Sequence, residues 1–552
     1  MKKKEQDKVK ILSLGGLGAV GGNMMVMEYR DEMMIIDCGI MFPSDDMPGV
    51  DLIIPDFSYV IKNRKKLKAI VVTHGHEDHI GAIPFLLQEI NAPIYATKLT
   101  IGLIQSRLAE RKPREEPVFI EIVPRDLVHI GSMAVEFIRV NHSIIDGVGL
   151  AIKTPVGTII HSGDFKIDHS PVDGMVADLH RFGDYGQQGV QLLLSDSTNA
   201  ERKGYTRSES VLRDKLVEIF SGCKGRIIVA TFASNIHRIQ QVLDAASRYN
   251  RKVVVTGMTM LKNIEIATQL GYLNYKEGLI IDTREMGKYT NKRMVVICTG
   301  TQGEPMSALS RMAGGTHKYF RIGAGDTVVI TASVIPGNER MVNKIINSLL
   351  KMKADVHYEQ DEDIHVSGHG SQEELKLLMS LTRPKYFMPI HGEYKHLRAH
   401  AKLAESLGIK SSHIVIGQTG DVVELTRKKF EKSDTLNLPM VYIDGSLQGD
   451  VTQDLIEERK TLSSDGVVIV TSAVSEGMMM SRPEVFSRGF VGQKGEKVIH
   501  LIQRDAEQQM NRMLADGASL KQVQAGLKKT VKNTIYKHTR RNPVIEVTIV
   551  EI

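Results

Sequence analysis

The stretch AIVVTHGHEDHIGAIPFLLQ, residues 69–88, decides the fold. It opens on an apolar, β-branched run, Ile70-Val71-Val72-Thr73, which reads as a buried strand. His74, His76, Asp78 and His79 follow within six residues, and Ile80, Ile83, Leu86, Leu87 and Ile90 then recur at helical spacing. Three imidazoles and a carboxylate on a strand-to-helix turn are costly to crowd together without a counter-charge. A metal ion removes the cost, because neutral imidazole nitrogen and carboxylate oxygen are donors that zinc accepts. A lone His-x-His would read as a solvated polar turn; four such groups do not. His74 and His76 lie two apart and point the same way from extended chain. Asp78 and His79 come after the turn and can face a second centre. One catalytic metal needs only three protein donors plus water. The surplus therefore predicts two metals, the arrangement used for in-line attack on phosphate esters.

The remaining donors have to come from elsewhere in the chain. Residues 135–140, 157–161 and 386–390 read as strands that end in Asn141-His142-Ser143, Ser162-Gly163-Asp164-Phe165 and His391-Gly392-Glu393. Open α/β sheets place their sites at such strand ends. His142 is the expected third histidine of one metal, Asp164 the bridging carboxylate, and His391 the missing ligand of the other. Asp37, after the strand 33–36, either orients a ligand histidine or caps the strand end. His161 and His169 read as structural or surface residues, and His396 and His400 as surface residues of a helix. His365-Val366-Ser367-Gly368-His369-Gly370 precedes a helix over 373–381. Ser367, Gly368 and His369 form either a phosphate pocket with an imidazole able to donate a proton or a capping turn.

The chain has 552 residues, enough for more than one domain, and 42% hydrophobic content, ample for a core. Cys38, Cys223 and Cys298 are too scattered for a disulfide framework or a CxxC zinc ribbon, and they fit a reducing cytoplasm. MKKKEQDKVK at the start is charged and no apolar run follows it, so no signal peptide is expected. No apolar run approaches the roughly 20 residues of a membrane span. The net charge of +6 is compatible with nucleic acid but weak evidence for it; with no Trp and 5% aromatics, extensive base stacking is not advertised. The glycine-rich run Gly15–Asn23 could be a dinucleotide loop, but strands rather than a helix follow it, which favours a tight loop near the active site. From about residue 208 helices alternate with parallel-type strands. The loops after 298 and 331, rich in Gly and hydroxyl residues, can offer N–H groups to anions. Residues 427–440 read as a polar linker and 441–552 as a smaller domain. Within it, 521–541 carries Lys521, Lys528, Lys529, Lys532, Lys537, Arg540 and Arg541 with no acid, either a basic binding surface or a solvated helix face.

His74-Gly75-His76-Glu77-Asp78-His79 matches the HxHxDH signature of the metallo-β-lactamase fold. The α/β unit inserted between Asp164 and the last ligand, the His365–His369 run and Pro389-Ile390-His391-Gly392-Glu393 resemble the β-CASP branch, whose members act on nucleic acids. Within it the chain resembles the bacterial ribonuclease J family over essentially its full length. The resemblance implies an α/β fold: a metallo-β-lactamase αββα sandwich in two parts, 1–208 and 356–426, with a β-CASP α/β insert at 209–355 and a small α+β C-terminal domain. It implies a cytoplasmic two-zinc ribonuclease, with manganese as the alternative ion in the cell. That enzyme combines 5′→3′ exonuclease activity, favouring 5′-monophosphate ends, with endonuclease activity, in mRNA decay and rRNA maturation. It implies His74, His76 and His142 on one zinc, Asp78, His79 and His391 on the other, Asp164 bridging, and His369 as general acid. Asp78 and Asp164 would thus be catalytic as well as ligating. His365, Val366, Ser367, Gly368 and His369 would bind RNA phosphate. It also implies a homodimer or homotetramer built partly through the C-terminal domain, or a hetero-oligomer with a paralogue, and RNA-decay or ribosome-associated partners. A calcium site is implied through Gly49, Asp51 and Asp444. The chain departs from the family at Ala19, where Glu is usual, and at Gly22, where Lys or Arg is frequent; neither removes a ligand. Two rivals stand beside this reading. A hydrolase of small thioesters or lactams would not need so large an insert, and a non-catalytic RNA-binding scaffold would not need intact ligands.

Overall fold

The computed structural model describes residues 7–552 apart from 45, 303, 305, 333, 335–337, 359–363, 446, 450 and 491–494. Parts of the loops after 298 and 331, expected to offer N–H groups to anions, lie outside the described residues. The described chain falls into two compact units: residues through Phe42 together with Ile53–Val441, and Pro43–Leu52 together with Tyr442–Ile552.

The first unit is built on strands that are apolar on both faces. An eight-stranded sheet runs in the order Phe430–Thr435, Asp421–Leu425, Val9–Gly15, Met24–Tyr29, Glu32–Ile36, Leu67–Val71, Ile94–Ala96, Phe119–Glu121. A six-stranded sheet runs Tyr386–Ile390, Val190–Asp196, Gly157–His161, Val148–Thr154, Met133–Arg139, Leu127–Ile130. Ile11, Met27, Ile36 and Val71 of the first meet Phe137, Leu150, Leu192 and Met388 of the second in one buried core. Strand alternation sends the intervening residues Ile138, Ala151, Ile160, Leu193 and Phe387 outward. There they bury Phe182, Tyr185, Leu375, Leu378, Met379 and Ala404 of the helices Leu179–Gln188, Gln372–Thr382 and Tyr394–Ser406. The result is the expected helix–sheet–sheet–helix sandwich.

The insert has its own core. Five strands, Lys252–Thr256, Met294–Cys298, Ile227–Ala230, Thr327–Ile330 and Asp355–His357, pair in that order and all in parallel. Ile228, Val254, Val296 and Val328 pack against Leu309, Met312, Ile346 and Leu349. Two expected boundaries shift. The last insert strand runs across the predicted return point at 355/356 because Val328 pairs with Val356. The predicted linker over 427–440 contains the strand Phe430–Thr435, whose Phe430 is buried and pairs with Leu425. Its exposed face of charged residues is what made it read as a linker.

In the second unit, strand Val467–Ser475 pairs with Glu484–Arg488 on one side and Val544–Glu551 on the other. Val468, Val470 and Val547 pack on the helices Glu496–Ala515 and Leu520–Thr539. Val523, Leu527, Val531 and Ile535 form the buried stripe of the latter, which leaves its lysines exposed. The segment Pro43–Leu52 belongs to this unit, which its sequence did not announce.

One packing contact secures the helix that follows His369. An ideal Cβ on Gly186 would lie 1.9 Å from the carbonyl oxygen of Leu381, whereas one on Gly183, in the same helix, would lie 3.8 Å from the Leu381 side chain. Gly186→Ala should therefore lose about 1–3 kcal/mol of stability through overpacking. Gly183→Ala should be neutral or gain up to about 1 kcal/mol from helix propensity. Denaturant unfolding of the two variants checks the contrast.

Candidate metal centre

The site collects at strand ends that share one direction. In the six-stranded sheet, Met133–Arg139, Gly157–His161, Val190–Asp196 and Tyr386–Ile390 run the same way. Their C-terminal ends carry His142, Asp164, Asp196 and His391. In the facing sheet, Glu32–Ile36 and Leu67–Val71 are parallel and lead into Asp37 and Thr73-His74. The short helix Glu77–Ile80 adds Asp78 and His79. Backbone geometry is spent to aim these groups. Asp37 and His391 adopt left-handed conformations, φ 60° and 54°, at a cost on the order of 1–3 kcal/mol each. Gly39 is required by close approach, since a Cβ there would sit 1.6 Å from the Asp78 carbonyl oxygen.

The side chains form two donor groups that share one oxygen. His74 Nε2 lies 3.1 Å from His76 Nδ1, and His142 Nε2 lies 3.0 Å from the same atom. Asp78 Oδ2 is 3.6 Å from His79 Nε2 and 3.4 Å from His391 Nε2. Asp164 Oδ2 stands 3.8 and 3.9 Å from the Nε2 atoms of His74 and His142, and 3.2 and 3.4 Å from those of His79 and His391. Donors on a tetrahedral zinc, with bonds of about 2.05 Å, stand about 3.4 Å apart. The spacings bracket that value, so His74, His76 and His142 form one candidate ion site and Asp78, His79, Asp164 and His391 another, with Asp164 Oδ2 reaching His74 and His142 of the first. Every ligand expected from the sequence is brought together.

The other ring nitrogens are occupied, which fixes the rings and their tautomers. His79 Nδ1 donates to Asp37 Oδ2 at 2.8 Å, and His142 Nδ1 to the Gly368 carbonyl at 2.7 Å. His74 Nδ1 meets Thr73 Oγ1 at 3.0 Å, and that hydroxyl donates to Asp37 Oδ2 at 2.9 Å. His391 Nδ1 meets Thr198 Oγ1 at 2.6 Å, and that hydroxyl donates to Asp196 Oδ1 at 2.8 Å. Asp37 thus orients ligands and also accepts from Thr73 N at 2.7 Å. His369 Nδ1 pairs with Asp196 Oδ2 at 2.7 Å, and its ring stacks on His391 with centroids 5.3 Å apart. The glycine-rich loop does reach the site: Asn23 Nδ2 lies 3.1 Å from His79 Nε2 and donates to the Asp78 carbonyl at 3.1 Å.

Charge divides the histidines. Burial pushes His74 and His142 well below the ordinary imidazole value and His76 down to about 4, so all three are neutral donors at pH 7. His79 and His391 are equally buried, but Asp164, with Asp78, Asp37 and Asp196, outweighs the burial and raises both well above it. Burial opposes ionisation of Asp164 and Asp196 too, yet neighbouring imidazoles hold both carboxyls below the usual range, His391 first for Asp164 and His369 first for Asp196.

Several expectations change. Asp196 and Asn23 were not among the predicted site residues. Asp196 ends a strand just as His142 and His391 follow theirs, a signal available in the sequence; Asn23 closes the glycine-rich loop expected near the active site, but nothing singled out its side chain. The predicted phosphate run divides. Ser367, Gly368 and His369 line the site, with Asn199 Nδ2 donating to Ser367 Oγ and to the His369 carbonyl, both at 2.8 Å. Val366 is buried instead, and His365 turns its Nδ1 toward the Thr331 carbonyl of the insert, 3.5 Å away. The helix cap falls to Ser371, in a capping box with Glu374. His396 and His400 are buried rather than surface residues. His400 packs edge-on against Phe387 and its Nδ1 meets Ser197 Oγ at 3.0 Å, while His396 Nδ1 accepts from Glu393 N. His161 is structural, accepting from Gly163 N, and His169 is exposed. The calcium expectation gives way. Asp444 is paired to Arg459 at 2.7 Å, the same guanidinium donates to the Pro48 carbonyl, and it lies 2.5 Å from where a Cβ of Gly49 would be. Asp51 accepts from Gly445 N. Arg459 thus contacts two of the three residues named for that site.

Comparison with known proteins follows the same division of the chain. Residues 17–195 match the metallo-β-lactamase superfamily, 224–349 the ribonuclease J β-CASP domain, 353–414 a Zn-dependent metallo-hydrolase RNA specificity domain, and 454–552 the ribonuclease J C-terminal domain. Ribonuclease J of Thermus thermophilus is 41% identical, across 99% of this chain and 96% of its own. Ribonuclease J 1 of Streptococcus pyogenes is 42% identical across 98% and 97%, and ribonuclease J2 of Bacillus subtilis 37% identical across the whole of both. A crystal structure of a protein of unknown function from Enterococcus faecalis aligns with 76% of this chain and 100% of its own at a TM-score of 0.53; at 17% identity it speaks for the fold alone.

The charge pattern sets how metal binding depends on pH. In the metal-free cluster the surrounding carboxylates, Asp164 first, favour protons on His79 and His391, while burial keeps His74, His76 and His142 neutral. Zinc binding should therefore release protons from His79 and His391. Its affinity should climb with pH until the raised values of His79 and His391 are passed. Calorimetric titration in buffers of different ionisation enthalpy reads the proton count, and zero protons released would contradict the assignment.

Proposed function

The chain belongs to the ribonuclease J family, and from that premise we propose how its centre cleaves RNA. It is a metal-dependent enzyme that hydrolyses RNA. The ions in this reading are two zincs, held by His74, His76, His142 and Asp164 and by Asp78, His79, His391 and Asp164, with manganese as the cellular alternative. When bound, they supply Lewis-acid charge for the scissile phosphate and lower the pKa of a nearby water toward about 7. The single observation that carries the reading is Asp164 Oδ2, within 3.9 Å of the Nε2 atoms of His74 and His142 in one group and of His79 and His391 in the other.

The chain's own residues do the rest. His369, with Nδ1 tied to Asp196 Oδ2, keeps Nε2 available to deliver a proton to the leaving 3′ oxygen. Asp196 stabilises the charged ring and holds its tautomer. Ser367 Oγ accepts from Asn199 Nδ2 and from His369 N, which leaves its hydroxyl hydrogen for a phosphate oxygen. Thr206 Oγ1 donates to the His369 carbonyl and fixes the segment. In this reading Ser367 and His369 receive a 5′-monophosphate, the Ser367 hydroxyl donating to one of its oxygens. In this reading the enzyme is a 5′→3′ exonuclease that also cleaves internally, in mRNA decay and rRNA maturation in the cytoplasm. No helix among the described residues is long and apolar enough to cross a membrane. The exposed lysines of the Leu520–Thr539 helix are open to RNA, and assembly into dimers or tetramers through the C-terminal unit accompanies the activity. The neighbourhood of His369 and Ser367 favours this over a scaffold role, which would not require an aligned acid.

Two measurements test it. Asp196→Asn should lower kcat about 10²-fold on RNA while two metals per chain remain bound; an unchanged kcat removes His369 and Asp196 from proton transfer. RNA labelled at a 5′-monophosphate should release labelled mononucleotide first, and a 5′-triphosphate should slow that release several-fold. Equal rates would remove the pocket, and labelled internal fragments would make the enzyme chiefly an endonuclease.

A further inference from the structure

The helix Lys98–Glu110 lies between the metal-ligand turn and the insert, and it touches both. On its inner side, a Cβ at Gly75 would lie 2.6 Å from Leu103 Cδ1 and 3.3 Å from Ile144 Cδ1, so Gly75, between His74 and His76, is wedged against this helix and the loop after His142. Arg107 Nε donates to Glu77 Oε1 at 2.8 Å, and Glu77 stands between the ligands His76 and Asp78. On its outer side, the insert helix Met258–Gln269 packs so closely that a Cβ at Gly102 would lie 2.8 Å from Ile266 and 3.2 Å from Leu270. Lys262 of that helix pairs with Glu110 at 2.6 Å, and Glu110 pairs with Arg107 at 3.2 Å. Just past the insert helix, the Tyr272 hydroxyl donates to Asp146, four residues after the ligand His142. Asp146 is held in a left-handed conformation, φ 63°.

We infer that Lys262, Glu110 and Arg107, together with Tyr272 and Asp146, are positioning residues through which the insert holds the ligand loops of the metal centre in place. Two separate connections run from one segment of the insert, 258–272. One passes along Glu110, Arg107 and Glu77 to His76 and Asp78; the other passes through Asp146 to His142. The insert thus meets the metallo domain here through side chains as well as through its covalent joins. An RNA that shifts the insert would shift the ligands with it. Exposed ion pairs taken singly stabilise little, so the effect expected is on ligand placement rather than on folding. Partners outside the ligand shell commonly change metal affinity or activity by about 10–100-fold. The outer members of the chain should fall at the low end.

The test uses the full-length protein and zinc alone as the first probe. Lys262→Glu should weaken zinc binding about 10-fold, the low end for such partners. The reversed pair Lys262→Glu/Glu110→Lys should restore it. Tyr272→Phe, which deletes one hydroxyl and endangers folding least, should weaken it likewise through Asp146. The second readout is steady-state cleavage of RNA, and this arm rests on the ribonuclease reading above: kcat should fall in step with zinc affinity, with KM unchanged. Three results overturn the inference: unchanged zinc affinity in both Lys262→Glu and Tyr272→Phe, failure of the reversed pair to restore it, or a rise in KM alone, which would make Lys262 an RNA contact. If the zinc arm behaves as expected but the wild type cleaves no RNA, the ribonuclease reading fails and the positioning role stands.

Discussion

One carboxylate oxygen sets the terms for the rest of the molecule. Asp164 Oδ2 lies among four imidazole nitrogens at 3.2–3.9 Å, in a site nearly closed to solvent. Lone pairs brought this close repel unless cations lie between them, and burial raises the cost of leaving the carboxylates bare. Metal ions turn the same crowding into a favourable arrangement. In their absence His79 and His391 take protons and serve as the counter-charge. Metal loading and proton release are therefore two descriptions of one balance.

Holding seven ligands in that arrangement needs rigid supports, and the fold supplies them from two sheets at once. Four strands of one sheet and two of the other end at the same edge of the sandwich. Their shared core fixes the distance between those ends. A close-packed interior cannot shift one strand by half an ångström without disturbing its neighbours. Loop residues alone would not offer that. Among the ligands and their partners, strain is accepted at Asp37 and His391, whose left-handed backbone aims the side chain into the site. The outer hydrogen bonds from Asp37, Thr73, Thr198 and the Gly368 carbonyl then hold each ring.

The insert gives this centre a substrate of a particular size. Its return segment brings Ser367 and His369 beside the metals, and Asn199 and Thr206 tie that segment to the metallo domain. On the opposite side, the insert helix Met258–Gln269 leans on the helix behind the ligand turn. The site is thus flanked by the segment that follows the insert on one side and by an insert helix on the other. A small hydrolase would need neither, whereas a polymer with a phosphate at every step uses both.

Much of the centre was legible in the sequence because His74, His142, Asp164 and His391 follow apolar strand runs, and His76, Asp78 and His79 crowd the turn after the first of them. The αββα frame was legible too, since apolar strands and helical periodicity are short-range properties. Long-range matters were not. Asp196 also ends an apolar strand run, but only its distance to His369 shows its use; nothing singled out the Asn23 side chain. His396 and His400 looked like surface residues because their helix is polar in sequence, and only packing against Phe387 and Ser197 buries His400. Arg459 beside Asp444 and Gly49, a strand inside an apparent linker, and Pro43–Leu52 joining the C-terminal unit all depend on which distant groups meet. Spacing along a chain determines which donors can share a strand end or a turn; which strand ends face one another is decided by how two apolar sheets bury their common surface.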